Sequence, residues 1–353
     1  MIEARRALVR PKIYLLIGLF CVLIILVFWS IAVGSYDMPI YRMLCALLGL
    51  EDGPQKIVVW GIRMPRITAA VISGCALGLS GLASQSLLRN PLASPFTLGI
   101  SQGAAFGAAF SIVVMGAAGI HQGALRSAEA NTLTIINVYA VTLSAFLGAI
   151  TATLVILLLA RLRKMSPESI ILAGVALSSL FTSGTILIQY FATDVEIATV
   201  VFWTFGDVAR SSWKEIGLLA FVTAGVIVYF VYNRWNLNAL ATGEDSAKGL
   251  GVEINRLRLA GMFLAALVAA LATAFHGVIA FLGLLAPHIG RRLAGSDHGL
   301  LIPYSCLLGA LLLLAADTLG RVLVGSGTLP VGVLTSFMGA PLFLYLLLKG
   351  LNR

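Results

Sequence analysis

Residues 259–290 read LAGMFLAALVAALATAFHGVIAFLGLLAPHIG, an uncharged run of 32 residues. A helix that crosses a bilayer needs about 20 predominantly apolar residues. This run is too long for one ordinary crossing and too short for two full ones. Gly277, Gly283 and Pro287 invite a break inside it. We expect a full span followed by a short half-helix near residues 283–294.

Eight further runs with few or no charges lie at 13–36, 67–88, 90–125, 133–160, 169–193, 216–233, 299–316 and 322–348. If residues 259–290 cross twice, the chain crosses ten times with both termini in the cytoplasm. Sixteen of the 24 Lys and Arg then fall inside, against 13 for a single crossing. Cytoplasmic loops carry an excess of basic residues, so ten crossings is the better fit. The predicted class is an all-α polytopic membrane protein of about ten transmembrane helices, including the half-helix. It forms a single transmembrane domain over residues 1–353.

Composition agrees. Hydrophobic residues make up 59% of the chain and charged residues 11%, with a mean hydropathy of +0.98. Soluble domains carry about 25% charged residues. The positive-inside bias accounts for the net charge of +9, and nucleic acid is not an expected partner. Cys21, Cys45, Cys75 and Cys306 are scattered without a C-x-x-C pair, and the four histidines (His121, His276, His288, His298) lack H-E-x-x-H spacing. Neither a disulfide framework nor a metal site is expected. The first apolar run exceeds a signal-peptide core of about 7–15 residues and reads as a retained span.

Between two spans lies the polar stretch LNALATGEDSAKGLGV, residues 237–252. A phosphate-binding Walker A loop requires G-x-x-x-x-G-K-[ST]. Here Lys248 precedes Gly249 and Leu250 follows it, so the loop does not hold a nucleotide. Leu237, Leu240, Ala241, Ala247 and Leu250 suggest two short amphipathic turns joined at Gly243. Such a loop is either a solvated connector or a surface for a cytoplasmic partner.

At this loop the chain resembles FecCD-type permeases of binding-protein-dependent ABC importers for iron-siderophores, haem and cobalamin. The likeness is carried by RMPR at 63–66, Q-x-x-x-RNPLASP at 85–95, LGISQGA at 98–104 and LAGVAL at 172–177. FLGLLAPHIGR at 281–291, DTLGR at 317–321, LPVGVLTSFMGAP at 329–341 and the final LLLKG continue it. The resemblance implies a type II importer permease fold in the inner (cytoplasmic) membrane. It implies a homodimer, or a heterodimer with a paralogous permease, two cytoplasmic ABC ATPase subunits and an extracytoplasmic binding protein. ATP and magnesium would be used by the ATPase subunits, and this chain would bind no cofactor and catalyse no reaction.

The resemblance also assigns residues. Residues 237–251 become the cytoplasmic coupling loop, with Asn238, Leu240, Ala241, Gly243, Glu244, Asp245, Ala247, Leu250 and Gly251 meeting the ATPase. Arg63, Arg66 and Arg321 become the outer arginines that meet carboxylates of the binding protein, for which planar guanidinium forks are suited. The plainer alternative has Arg66 snorkelling to the interface and Arg321 pairing with Asp317 at i, i+4. In the fifth span Gly174, Ser178, Thr182, Thr185 and Gln189 share one helical face. They either pack helices or line the translocation path, the latter role falling to Ser178, Thr182, Thr185 and Gln189. Ser166 aligns with the cytoplasmic gate, although a helix N-cap explains it equally well.

The expected cargo is an iron-siderophore or similar metal chelate, with haem, cobalamin or an oxyanion as alternatives. A secondary transporter driven by an ion gradient is the rival class. Such proteins carry ionisable residues deep in a span, and only Asp317 approaches that description here.

Overall fold

The computed structural model describes residues 2–34, 38–50, 53–117, 137–163, 166–323 and 328–351, and every regular element within them is helical. His121 and Lys164 lie outside the described residues. The chain opens with α1 (Ile2–Ala32), α2 (Ile40–Leu47) and α3 (Pro54–Lys56). The last runs through a π-helical turn, Ile57–Arg63, into α4 (Met64–Leu87). α5 (Ile100–Ala109), α6 (Val138–Arg163), α7 (Pro167–Tyr190), α8 (Asp194–Thr204) and α9 (Trp213–Tyr232) follow. Two short helices, α10 (Arg234–Thr242) and α11 (Glu244–Gly249), lead to α12 (Ile254–His276). α13 (Leu282–Ala294), α14 (His298–Leu323) and α15 (Val331–Leu351) complete the order.

Among the described residues, seven helical stretches are long and apolar enough to cross a bilayer, and Ile100–Val114 and Val331–Tyr345 are apolar but shorter. With the 13-residue α13 these would supply ten segments, of which length and composition identify seven. The 193–215 stretch, between the apolar runs 169–193 and 216–233, contains α8. Thr193 starts that helix with a capping box, its Oγ1 accepting from Glu196 N while Glu196 Oε2 accepts from Thr193 N at 2.8 Å. Asp194, Glu196 and Asp207 interrupt the apolar pattern there and hid the helix.

The break in residues 259–290 falls at Gly277, and Gly283 and Pro287 lie inside α13. Gly277 (φ 77°) and Phe281 (φ 66°) both take left-handed backbone, which stops a helix in either direction. A Cβ on Gly277 would overlap the carbonyl oxygen of Trp203, so glycine is required by close approach as well as by φ. Backbone groups freed at a break inside a membrane need partners within the protein. Here Asp207 N donates to His276 O at 2.7 Å, and Val331 N donates to Gly206 O at 3.1 Å. The His276 side chain is buried between two hydroxyls, Ser73 Oγ at 3.1 Å and Ser211 Oγ at 2.9 Å. α4, the 206–211 loop, the end of α12 and the start of α15 are thereby tied together.

α4 is the central helix, packed by α14, α12, α13 and α9. Gly74, Gly78 and Gly81 line one face of it, and each lies directly against main chain of a neighbour: Gly309, Ser305 and Gly283 respectively. In lipid, helices associate through such close backbone approach because hydrophobicity supplies no drive between them. α7 lies at the opposite extreme. Only 11% of its span is buried within the chain, and Leu172, Leu180, Ile186 and Leu187 face outward.

Candidate functional site

The loop between α9 and α12 folds as the pair α10 and α11, joined at Gly243. Gly243 has φ 134° and ψ 153°, a region open essentially to glycine alone. The apolar side of the pair faces the bundle. Leu237, Leu240 and Ala247 are buried, while Ala241, Asp245, Lys248, Leu250 and Gly251 are exposed, Leu250 by 73%. The nine predicted contact residues therefore divide. Leu240 and Ala247 anchor the loop inward, which corrects their assignment as docking positions. Ala241, Asp245, Leu250 and Gly251 form the outward face.

Two of the predicted residues instead lock the loop to the core helix. Asn238 Oδ1 accepts from the backbone N of His298 at 2.9 Å and lies 2.7 Å from its Nδ1, and Asn238 Nδ2 donates to Asp297 Oδ1 at 2.8 Å. The other ring nitrogen, His298 Nε2, is 2.8 Å from Ser86 Oγ. Glu244 pairs with Arg258 at 2.6 Å, and Arg258 Nε donates to Leu87 O at 3.1 Å. Both chains of contacts end on consecutive residues of the last turn of α4. Arg258 and Ser86 were not singled out in the sequence, and His298 was weighed only as a metal ligand, because spacing carries no signal for partners far apart along the chain.

At the far end of the bundle, Arg63, Arg66 and Arg321 converge as the motifs suggested, but they are turned inward. Arg66 donates from Nε to both oxygens of Asp317, at 2.9 and 3.1 Å, and its Nη2 lies 2.8 Å from Oδ1. Arg321 Nε lies 3.3 Å from Asp317 Oδ2, the i, i+4 pair expected from sequence. Arg321 also donates to Ser30 O at 3.1 Å, Val33 O at 3.0 Å and the Ser30 hydroxyl. Arg63 donates to Ile31 O at 2.6 Å. Arg66 and Arg321 thus share the Asp317 carboxylate, with Asp207 Oδ1 a further 4.0 Å from Arg66 Nη2, while Arg63 and Arg321 hold carbonyls at the C-terminus of α1, where the helix dipole favours cations. Arg63 is 4% exposed, and the side chains of Arg66 and Arg321 are 11% and 8% exposed. The snorkelling alternative for Arg66 is replaced by a buried ion pair.

The polar stripe of α7 borders a groove of about 500 Å³ formed with Phe96 and Thr97. Ser178, Thr182 and the neighbouring Ser179 and Ser183 line it. Gly174 packs against Thr97 O, where a Cβ would not fit. Thr185 and Gln189 do not reach this groove; Thr185 Oγ1 donates back to Phe181 O at 2.9 Å. Ser178 is similarly bonded to Gly174 O at 2.8 Å, so the groove wall offers hydroxyls already partly satisfied. Ser166 is the N-cap of α7, its Oγ accepting from Ser169 N at 3.3 Å.

Known proteins resemble this chain over nearly its whole length. The profile of the FecCD transport family matches residues 22–349. A protein of Methanocaldococcus jannaschii, named as an ABC transporter permease without a stated substrate, is 49% identical over 98% of this chain and 97% of its own. The Fe(3+)-citrate import system permease protein YfmE of Bacillus subtilis is 36% identical over 96% and 95%. The vitamin B12 import system permease protein BtuC of Vibrio cholerae is 34% identical over 95% and 93%. A solved chain described as an inward-facing, metal-chelate type ABC transporter superposes with a TM-score of 0.80. It is 30% identical and covers 95% of this chain and 99% of its own.

Proposed function

The chain belongs to the FecCD transport family of ABC importer permeases, and on that premise we propose that it imports a ferric chelate by ATP-driven alternating access. It works as a homodimer in the cytoplasmic membrane, with two ATPase subunits on the face of α10 and α11 and a binding protein at the opposite face. Both termini lie on the cytoplasmic side, as the distribution of basic residues favours. The observation that carries this function is the double lock of α10 and α11 onto α4. A displacement of the loop by an ATPase would pass through Asn238–His298–Ser86 and Glu244–Arg258–Leu87 into the central helix. A mere connector has no use for two such joints.

The ferric chelate is favoured by the Fe(3+)-citrate relative and by the metal-chelate transporter that shares the fold. The vitamin B12 relative, at 34% identity, keeps cobalamin as the second candidate. The groove beside α7, with its weakly polar wall, is proposed as part of the path, completed by α7 of the second copy. The arginine cluster is proposed to fix the outer rim on which a binding protein seats, acting through the position of α1, α4 and α14 rather than as free forks.

Proteoliposomes holding the permease, its ATPase and its binding protein test the cargo. Uptake of ferric citrate should be ATP-dependent and unaffected by excess cobalamin. Cobalamin uptake without ferric citrate uptake would reject the chelate. Leu250→Asp tests the docking face. It should weaken association with the ATPase subunit at least tenfold, about 1.4 kcal/mol, with an unchanged Tm because the side chain is exposed. Unaltered association would remove Leu250 from that face.

A further inference from the structure

Where the end of α4 meets α10 and α13, the protein forms a cavity of about 870 Å³, within the range of small-ligand sites, about 300–1,000 Å³. Its polar lining comprises Gln85, Ser86, Arg89, His288, Arg291, Arg292, Ser296 and His298, with no carboxylate among the described residues that line it. Gln85 and His298 are 2% and 3% exposed, so the recess ends on buried polar groups.

Several of these groups are pre-set. Arg291 donates to Gln85 Oε1, and Gln85 Nε2 donates to Gly283 O at 3.3 Å, which fixes the fork against the start of α13. His298 is oriented by Asn238 and Ser86 as described above. Arg89 adds a separate sign. It follows the last turn of α4 with φ 49°, and Asn90 N closes the helix end by donating to Gln85 O at 3.1 Å. That left-handed position favours glycine or asparagine, because a Cβ is strained there. Arg89 is nevertheless present, exposed, and lines the cavity. The α4 dipole favours a cation near its C-terminus but does not gather two more arginines from α13 around the same recess.

We propose that this cavity binds a phosphate-bearing anion, the headgroup of an anionic lipid or a free phosphate compound, held by Arg89, Arg291 and Arg292. Planar guanidiniums match phosphate oxygens in pairs, and three of them border this one recess. Ala241 of α10 also lines the cavity, so the bound anion bridges the coupling loop and the half-helix.

The test uses the full chain in nanodiscs, with thermal stability as the readout. In phosphatidylcholine alone, titration with inorganic pyrophosphate should raise Tm by on the order of 3 °C if the ligand is soluble. If the ligand is a lipid, the rise should appear instead when phosphatidylglycerol replaces part of the phosphatidylcholine. Arg89→Gly relieves the backbone strain, so its starting Tm should equal or exceed that of the native chain while most of the shift is lost. Adding Arg292→Gln should abolish the rest. An absent shift in both arms, or the same shift in the double variant, overturns the proposal. So does a tenfold loss of ATPase-subunit binding in Arg89→Gly without any phosphate effect, which would make the recess a protein interface.

Discussion

Asp317→Ala should leave the permease unable to accumulate in the membrane in folded form, the largest single-residue effect the structure predicts. Asp317 is 1% exposed and is the carboxylate that Arg66 and Arg321 both face, at 2.8 and 3.3 Å. Removing it leaves Arg66, in a low-dielectric site, with only the Asp207 carboxylate 4.0 Å from its Nη2. Breaking a buried ion pair by deleting one partner costs about 3–5 kcal/mol, much of a typical total stability of about 5–15 kcal/mol. The carbonyls of α1 still hold Arg321, so the failure should centre on Arg66 and the start of α4. Fluorescence-detected size exclusion after detergent extraction reads the loss. Arg66→Met added to Asp317→Ala should recover part of the folded fraction, since it removes one stranded charge. Wild-type accumulation of Asp317→Ala would show that the cluster does not hold α1, α4 and α14 together.

Gly81→Val should have the second largest effect, through geometry alone. A Cβ at Gly81 would occupy the position of the Gly283 carbonyl, and the group it strikes is main chain. Overpacking a core costs about 1–3 kcal/mol when side chains can yield. Here α13 itself must move, so the upper end of that range is the expectation. The displaced half-helix carries Arg291, whose fork rests on Gln85, so transport should fall further than stability. Gly217 is the matched control, because nothing lies within 4 Å of a Cβ there. Gly217→Ala should stabilise the chain slightly, by up to about 1 kcal/mol. Equal melting temperatures for Gly81→Val and Gly217→Ala would contradict the packing described for α4.

The membrane class and the half-helix were legible in the sequence because they depend on local quantities: run length, charge spacing and Gly277. The inward turn of the arginine cluster was not legible. RMPR at 63–66 and DTLGR at 317–321 identify the participants, but Arg66 and Asp317 are 251 positions apart, and their pairing exists only once α4 packs on α14. Leu240 and Ala247 were misassigned for a related reason. An amphipathic turn has an apolar face, and periodicity does not say whether that face meets the chain's own bundle or another protein. α8 was missed because three carboxylates interrupt its neighbourhood, although Thr193 and Glu196 carry a capping-box pattern that could have revealed it.

In the proposed function, ATP use is transmitted through α10 and α11 into α4. Asn238→Ala tests it most directly, because Asn238 is only 2.7–2.9 Å from three groups of the 297–298 segment and does not form the exposed face. The measurement is ATP hydrolysis by the reconstituted importer, with and without loaded binding protein, alongside uptake. Asn238→Ala should bind its ATPase normally and keep basal hydrolysis, while stimulation by loaded binding protein and uptake fall together by at least tenfold. Full stimulation and uptake in Asn238→Ala, or uptake driven by an ion gradient with no ATPase subunit present, would rule out transmission through this loop.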